Sequence, residues 1–236
     1  FADHTIGHFR RISHSVLNLQ NLIVATGAAF AAKAIFKPAI DVETARAEFA
    51  VLLASADAAK QHIEDLIEFA AKTPLRLGDL LSTSRQLLAV GTAVADVIPT
   101  MRILGDVAGG NAERLQTVTR AYTKMQAKGR VTLEELNMLT DAGIPILDAL
   151  ARQYGVNTQA LFKMITAGEV GFPAIQRALS DLTAEGGLYF RMMEKMSQTT
   201  GGRLSTMLDN WEQARREVGE GALPALTGAV EDLIAE

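Results

Sequence analysis

Residues 129–151 read GRVTLEELNMLTDAGIPILDALA, and this short stretch combines two helix signals with a rigid turn. Thr132 and Glu135 have the spacing of a capping box, in which each side chain satisfies the other residue's backbone N–H at a helix start. Gly143 is suited to a left-handed position after that helix, and Pro145 to the first turn of the next one. The stretch therefore predicts a tight corner between two helices. The predicted apolar face of the first helix consists of Leu133, Leu136, Met138 and Leu139.

The composition favours helices over sheets and limits the possible functions. Of the 236 residues, 48% are hydrophobic but only 6% are aromatic, and Ala and Leu dominate, which suits closely packed helices. The net charge of −4 and the pI of about 5.7 give no electrostatic reason to expect specific nucleic-acid binding. Because the chain has no cysteine, it can form neither a disulfide nor a thiolate site.

The hydrophobic pattern divides the chain into three regions. Residues 1–37 are predicted to form an apolar N-terminal helix, residues 38–202 a helical domain, and residues 203–236 an amphipathic helical segment. The predicted fold class is therefore all-α, with long N- and C-terminal helices flanking a compact multi-helix domain. Because the chain starts with Phe1 and ends inside an apolar-periodic run, we expect it to be a fragment of a longer protein.

Helical spacing and helix breakers predict the layout of the middle region. Apolar residues recur at helical spacing over residues 42–70 and predict one opening helix. Pro74 should end this helix, because it disfavours an α conformation at Thr73. Pro173 should lie in the first turn of a helix that runs to about Leu182. Other breaks are predicted at Gly91, Pro99, Gly105, Gly109, Gly110, Gly129, Gly143, Gly155, Gly168, Gly171, Gly186 and Gly187.

The histidines do not predict a metal site. His4 and His8 have the spacing of a two-histidine half-site on a helix, but only Asp3 lies nearby to complete it. We therefore interpret them as solvated side chains. His14 and His62 are isolated, and His62 lies beside the apolar stripe of the opening helix, as a boundary residue would. No metal and no cofactor is predicted.

Catalytic signatures are also missing from the sequence. Glu134 beside Glu135, and Asp209 near Glu212, lie on predicted helices where capping or solvation explains them. The chain has no phosphate-binding loop, no GxSxG nucleophile elbow and no HExxH zinc motif. The sequence therefore predicts no catalytic residues and a protein that is not an enzyme.

Four ordered segments carry a family resemblance. Residues 69–75 read FAAKTPL, residues 95–106 read ADVIPTMRILGD, the corner follows at 129–151, and residues 187–211 end in LSTMLDNW. Together they resemble the tape measure domain of bacteriophage tail tape measure proteins, over roughly residues 42–214. The motif positions that match are Phe69, Lys72, Thr73, Pro74, Gly129, Glu135, Leu136, Asn137, Gly143, Ile144, Pro145, Asp209, Asn210 and Trp211.

The resemblance implies a structural protein of the virion. Such proteins run as extended helical bundles through the tail tube, set tail length during assembly and take part in genome delivery. The implied partners are other copies of the protein in a homo-oligomer, the tail tube protein, tail assembly chaperones and tail tip proteins. The implied locations are the lumen of the virion tail and, during assembly, the host cytoplasm.

One uncharged segment leaves a second interpretation open. Residues 15–32 read SVLNLQNLIVATGAAFAA and are close to the roughly twenty residues that span a bilayer. Asn18, Gln20 and Asn21 dilute its hydrophobicity, and Lys33 ends it. Its small residues would let helices approach closely in water or in lipid. We expect packing between helices in the tail lumen. The alternative is a membrane-active helical module that inserts into the host envelope during infection.

Overall fold

The structure, a computed structural model, describes residues 41–199. Over this range, helix-forming residues and the glycines that end helices give an all-α chain. The predicted fold class is confirmed for this part, in which all the regular elements are helices. The predicted terminal helices at 1–37 and 203–236 lie outside the described residues. The helices are α1 (41–52), α2 (Ala56–Ala71), α3 (Leu77–Ala89), α4 (Val94–Val107), α5 (Ala112–Lys128), α6 (Leu133–Asp141), α7 (Ile146–Tyr154), α8 (Thr158–Thr166), α9 (Phe172–Thr183) and α10 (Met192–Ser197).

Helix α4 organises the packing of these elements. It packs against α2, α3, α5, α9 and α10, while α7 packs against α6, α8 and α9. The side chains of Val97, Met101 and Leu104 are buried along one face of α4, at the spacing expected for a helix with one core-facing stripe. All the described residues from 42 onward fall within one compact unit.

Left-handed glycines end several helices, as predicted. Gly143 has φ 79°. Its N–H donates to the carbonyl of Thr140 (2.8 Å), and the N–H of Ile144 donates to the carbonyl of Leu139 (3.0 Å). These paired bonds are the Schellman motif, which satisfies carbonyls that the end of a helix leaves without partners. The same paired bonds end four other helices, at Gly91, Gly109, Gly155 and Gly168.

Replacing Gly143 with alanine is expected to lower the free energy of unfolding by about 1 kcal/mol, because a side chain strains the left-handed conformation. A Cβ at Gly143 would meet no atom within 4 Å, so the backbone alone sets this loss. Gly78 in α3 is the matched control, since its Cβ position is equally open but its φ is not positive. We expect Gly78→Ala to stabilise by up to about 1 kcal/mol. Urea denaturation of both variants measures the difference, and equal effects would contradict it.

The single opening helix predicted for residues 42–70 is wrong, because the chain turns between α1 and α2. Ala54 adopts a left-handed conformation (φ 52°). The side chain of Ser55 then caps α2 by accepting a hydrogen bond from the N–H of Ala58 (3.2 Å). A serine at this position offers the backbone an alternative to continued helix. The end of the opening segment is confirmed, since α2 stops at Ala71, before Thr73 and Pro74.

The breaks predicted at Pro99 and Gly105 are also wrong, since both residues lie inside α4. Pro99 is on an exposed face, where water can solvate the carbonyl that loses its helical partner. Gly105 is buried against the side chain of Met193, so its lack of a Cβ serves packing and not a turn. In contrast, Pro173 lies in the first turn of α9 as predicted.

Candidate functional site

Three of the four motif segments meet at the end of α4. A Cβ added to Gly105 would overlap the side chain of Met193 and lie 3.4 Å from Cδ1 of Leu75. A Cβ added to Gly110 would overlap the ring of Pro74. Segments 69–75, 95–106 and 187–199 therefore converge on one small region, where glycines allow close approach. We call this region the α4 junction, defined by Pro74, Leu75, Gly105, Gly110 and Met193.

The first motif segment, residues 69–75, packs the end of α2 against α4. Phe69 is buried, and the guanidinium carbon of Arg102 lies 5.2 Å from the centre of its ring. Thr73 is also buried, and its hydroxyl oxygen has no hydrogen-bond partner among the described residues. Lys72 instead lies at the surface and pairs with Glu68 one turn earlier. Of these motif residues, only Lys72 has a charged group that points toward solvent.

Asp106 supplies the polar contact of the α4 junction. Its buried carboxylate accepts a hydrogen bond from the N–H of Met193 (2.8 Å), which lies in the first turn of α10. Burial raises the pKa of Asp106, although backbone hydrogen bonds from Met193 and Met192 and the charge of Arg102 act in the opposite direction. The carboxylate thus caps α10 from another helix, a role that a segment-by-segment interpretation of the sequence did not find. The adjacent Gly105 and Asp106 near the end of α4 were the sequence signal that could have indicated this role.

The third motif segment, at 129–151, is tied to the loop before α9. Gly129 is left-handed (φ 67°) and ends α5. Its carbonyl accepts a hydrogen bond from the N–H of Phe172 (3.3 Å), and the N–H of Val131 donates to the carbonyl of Val170 (3.1 Å). These bonds hold the start of the predicted corner against a distant part of the chain.

The reciprocal capping box predicted for Thr132 and Glu135 does not form. Thr132 is the N-cap residue of α6 but makes no side-chain capping bond, and its hydroxyl donates to the carboxylate of Glu135. The carboxylate also accepts a hydrogen bond from the ammonium group of Lys128 (2.6 Å). A charged donor from α5 competes successfully with a backbone N–H, because charge-assisted hydrogen bonds are stronger. Thr132, Lys128 and Glu135 therefore form a partly buried polar cluster, in which Glu135 is the buried member.

Glu135 is fully buried within this cluster, with 0% of its side chain exposed, whereas 41% of the Lys128 side chain is exposed. Burial by itself would raise the pKa of Glu135, but the hydrogen bonds from Lys128 and Thr132 outweigh it and lower that pKa. The core-facing positions of α6 are Glu135, Leu136 and Leu139. The prediction that Leu133 belongs to this face is wrong, since its side chain is 38% exposed.

The second half of the corner is built as predicted, with a shift of one residue. Pro145 precedes α7 as its N-cap residue, outside the first turn, because its ψ of 54° is not helical. Ile144 is buried. The carbonyl of Gly143 accepts a hydrogen bond from the hydroxyl of Tyr189 (2.9 Å), which links this corner to the fourth motif segment. Sequence analysis did not single out Tyr189.

Most of the described motif residues therefore join helices to one another. Asn137 is the clearest exception, since it lies on the exposed side of α6 next to buried Leu136. Asp209, Asn210 and Trp211 lie outside the described residues. That these positions form a family signature stays a prediction.

His62 corrects another prediction, because it is buried and not at a boundary. Its Nε2 lies 2.6 Å from the hydroxyl oxygen of Ser84 in α3, within hydrogen-bonding distance. The ring also packs edge-on against Phe49 of α1, with 5.1 Å between ring centres. Burial lowers the pKa of His62, and the charge of Asp65 opposes this shift only in part. His62 thus joins α1, α2 and α3 as a neutral side chain.

The free energy of unfolding should decrease as the pH falls from 7 to 5.5, because the unfolded chain binds a proton at His62 more readily than the folded chain. The contribution has a maximum slope of about 1.4 kcal/mol per pH unit. Glutamine at position 62 retains a hydrogen-bonding group but does not titrate. Urea denaturation across this pH range should therefore show a shallower slope for His62→Gln than for the parent chain. Parallel slopes would contradict the assignment.

Over residues 41–199, the surface offers grooves but no recognisable catalytic arrangement. An open groove of about 800 Å³ lies between α7 and the loop after α9, with Asp148, Arg152, Asp181 and Glu185 among its lining residues. Over residues 41–199, no three His, Asp or Glu side chains are grouped so that they could hold a metal ion. Within the same range, no helix combines the length and the apolar character needed to span a bilayer.

Comparison with known proteins gives several matches. FluMu protein gp42, a Mu-like prophage protein of Haemophilus influenzae, is 24% identical over 96% of this chain and 36% of its own length. The tape measure protein of Lactococcus phage F4-1 is 24% identical over 63% of this chain and 39% of its own length. A probable tape measure protein of Lactococcus phage p2 is 27% identical over 63% of this chain and 14% of its own length.

The chain thus spans between 14% and 39% of the length of these relatives. No solved structure gives a significant match. The family described as tape measure protein matches residues 33–220, which include the α4 junction and the corner at 129–151. Because this match covers most of the chain, the chain belongs to the tape measure protein family.

Proposed function

We propose that this chain is the folded part of a phage tail tape measure protein that occupies the tail tube lumen, sets tail length and takes part in genome delivery. The observation that carries the proposal is that the segments bearing the family motifs pack helices against one another. At the α4 junction and in the cluster around Glu135, they lock helices together. A structural role in a virion requires such packing and does not require an active site.

The proposed partners are other copies of the protein, the tail tube protein, tail assembly chaperones and tail tip proteins. The proposed locations are the tail lumen and, during assembly, the host cytoplasm. Two features of the described surface support a role in contacts. Lys72 and Asn137 are motif residues whose side chains the fold leaves at the surface. Exposed apolar side chains are also present at Phe162 and Leu188.

The geometry of helices supports assigning length measurement to a part of the parent protein other than the folded domain. A fully helical stretch of about 160 residues extends about 240 Å, at 1.5 Å per residue. A compact domain of about 160 residues has a radius of gyration of only about 15 Å. We therefore propose that residues 38–202 form a folded domain that adds little length, and that extended helical sequence elsewhere in the parent protein acts as the ruler.

In-frame deletions in the parent gene test this function. Removing helical sequence outside residues 42–214 should shorten the tail by up to about 1.5 Å per deleted residue. Removing residues 38–202 should shorten it far less per residue, and should impair assembly or infection instead. Electron micrographs of both mutant tails provide the measurement. Tails of unchanged length after the helical deletion would contradict the ruler role.

The second candidate function is a membrane-active helical module. The uncharged sequence at 15–32 is the observation that favours it. Binding of a 15–32 peptide to phospholipid vesicles, together with unchanged tail length in the helical deletion, would support this candidate over the ruler. A peptide that stays in solution would count against it.

A further inference from the structure

Residues 186–199 form a continuous strap that crosses the end of α4. The strap begins at Gly186, which is left-handed (φ 82°). At the next position, a Cβ on Gly187 would lie 2.5 Å from the carbonyl oxygen of Leu182, so only glycine fits there without a shift. The strap then turns and enters α10. These glycines set the direction in which the strap leaves α9.

Several contacts anchor the strap to the rest of the domain. At its start, the backbone N–H of Tyr189 donates to the carbonyl of Leu182 in α9 (2.9 Å). The hydroxyl of Tyr189 donates to the carbonyl of Gly143 (2.9 Å). The side chain of Met193 is buried in the notch that the missing Cβ of Gly105 leaves on α4. The backbone N–H of Met193 donates to the carboxylate of Asp106 (2.8 Å). Two of these contacts are thus made by one residue of α10, Met193.

Apart from these anchors, the interactions within the strap are between solvent-exposed groups, such as the ion pair of Arg191 with Glu194, and such pairs contribute little to stability. Helix α10 has six residues, far fewer than an isolated helix needs for stability in water. Arg191 at its N-cap is a non-glycine residue in a left-handed conformation (φ 50°) and makes no side-chain capping bond. Helix α10 packs chiefly against α4. In contrast, α5 has seventeen residues, of which seven are buried.

We propose that the strap is a releasable element, which detaches from α4 as a unit while the other described helices stay folded. Detachment would uncover the notch at Gly105 and the side chain of Leu75 beside it. The role of this step in the tail rests on the proposed function. During genome delivery, a stretching force applied from the C-terminal side of the domain would act on α10 before it acts on the helices that precede α10 in the chain. The domain would therefore begin to open at the strap.

Amide hydrogen exchange of the 236-residue chain, followed by mass spectrometry, tests whether the strap opens separately. Peptides covering residues 189–199 should exchange at least about tenfold faster than peptides from α5, after correction for intrinsic rates. Asp106→Ala should accelerate exchange in the strap by a further factor of about ten or more, because it removes a hydrogen bond to a charged group. Exchange in α5 should not change. Equal protection of the strap and α5, or acceleration throughout the chain, would overturn the proposal.

Two further variants keep the test decisive. Asp57→Ala removes an exposed carboxylate on α2 and is the matched control, so it should leave exchange in the strap unchanged. Tyr189→Phe removes only one hydroxyl and should accelerate exchange in the strap even if Asp106→Ala fails to fold. If it does not, the anchor assignment is wrong. These measurements use the isolated chain, so their failure is distinguishable from failure of the ruler role, which is read from tail length.

Discussion

Replacing Lys128 with methionine should lower the free energy of unfolding at neutral pH by about 3 kcal/mol, because it leaves the buried carboxylate of Glu135 without its charged partner. Thr132 alone cannot compensate for the burial of a full charge. Protonation removes that charge, so the loss should become smaller between pH 7 and pH 5. Urea denaturation at both pH values measures the loss and its pH dependence.

The neighbouring pair of Lys124 and Glu134 provides a matched control. Its ammonium and carboxylate groups are 3.0 Å apart, but 42% and 66% of the two side chains are exposed. Lys124→Met should therefore change stability by less than about 1 kcal/mol. Combining Lys128→Met with Glu135→Gln should recover part of the loss, because the amide carries no charge. If both lysine variants lose the same amount, burial of Glu135 does not control the effect.

Truncation of Leu136 to alanine should destabilise the domain by about 2–5 kcal/mol, as is usual for a fully buried leucine. Leu136 is 0% exposed and lies on the core-facing side of α6. Its neighbour Asn137 lies on the exposed side of the same helix, so Asn137→Ala should change stability by no more than about 0.5 kcal/mol. Thermal unfolding of both variants measures this contrast between adjacent motif residues.

The same two variants separate folding from contact with a partner. If Asn137→Ala folds normally but impairs tail assembly in the phage, the exposed part of the motif serves recognition. If only Leu136→Ala impairs assembly, the motif serves stability alone. A large loss of stability in Asn137→Ala would show that the surface assignment is wrong.

The helix boundaries that the sequence determined depend on local signals. Gly143 ends α6 in a Schellman motif, and Pro173 begins α9, because a left-handed φ and a fixed φ are properties of those residues wherever they occur. The all-α class follows from the Ala- and Leu-rich composition and from apolar residues that recur at helical spacing. The motif wording also identified the family without the structure. These features act over a few residues, so no tertiary contact is needed to infer them.

Packing between distant helices sets which side chains are buried and which partners they contact. Glu135 does not cap its own helix, because its buried carboxylate pairs with the half-exposed Lys128 of α5. Glycine usually weakens a helix, but Gly105 lies inside α4, where the absence of a Cβ leaves room for the side chain of Met193. His62 is buried because the chain turns at Ala54, between α1 and α2, so that Phe49 packs against the His62 ring. This burial favours the neutral form of the ring. Each of these outcomes balances a local preference against packing between residues far apart in the chain, and that packing is visible only in the folded structure.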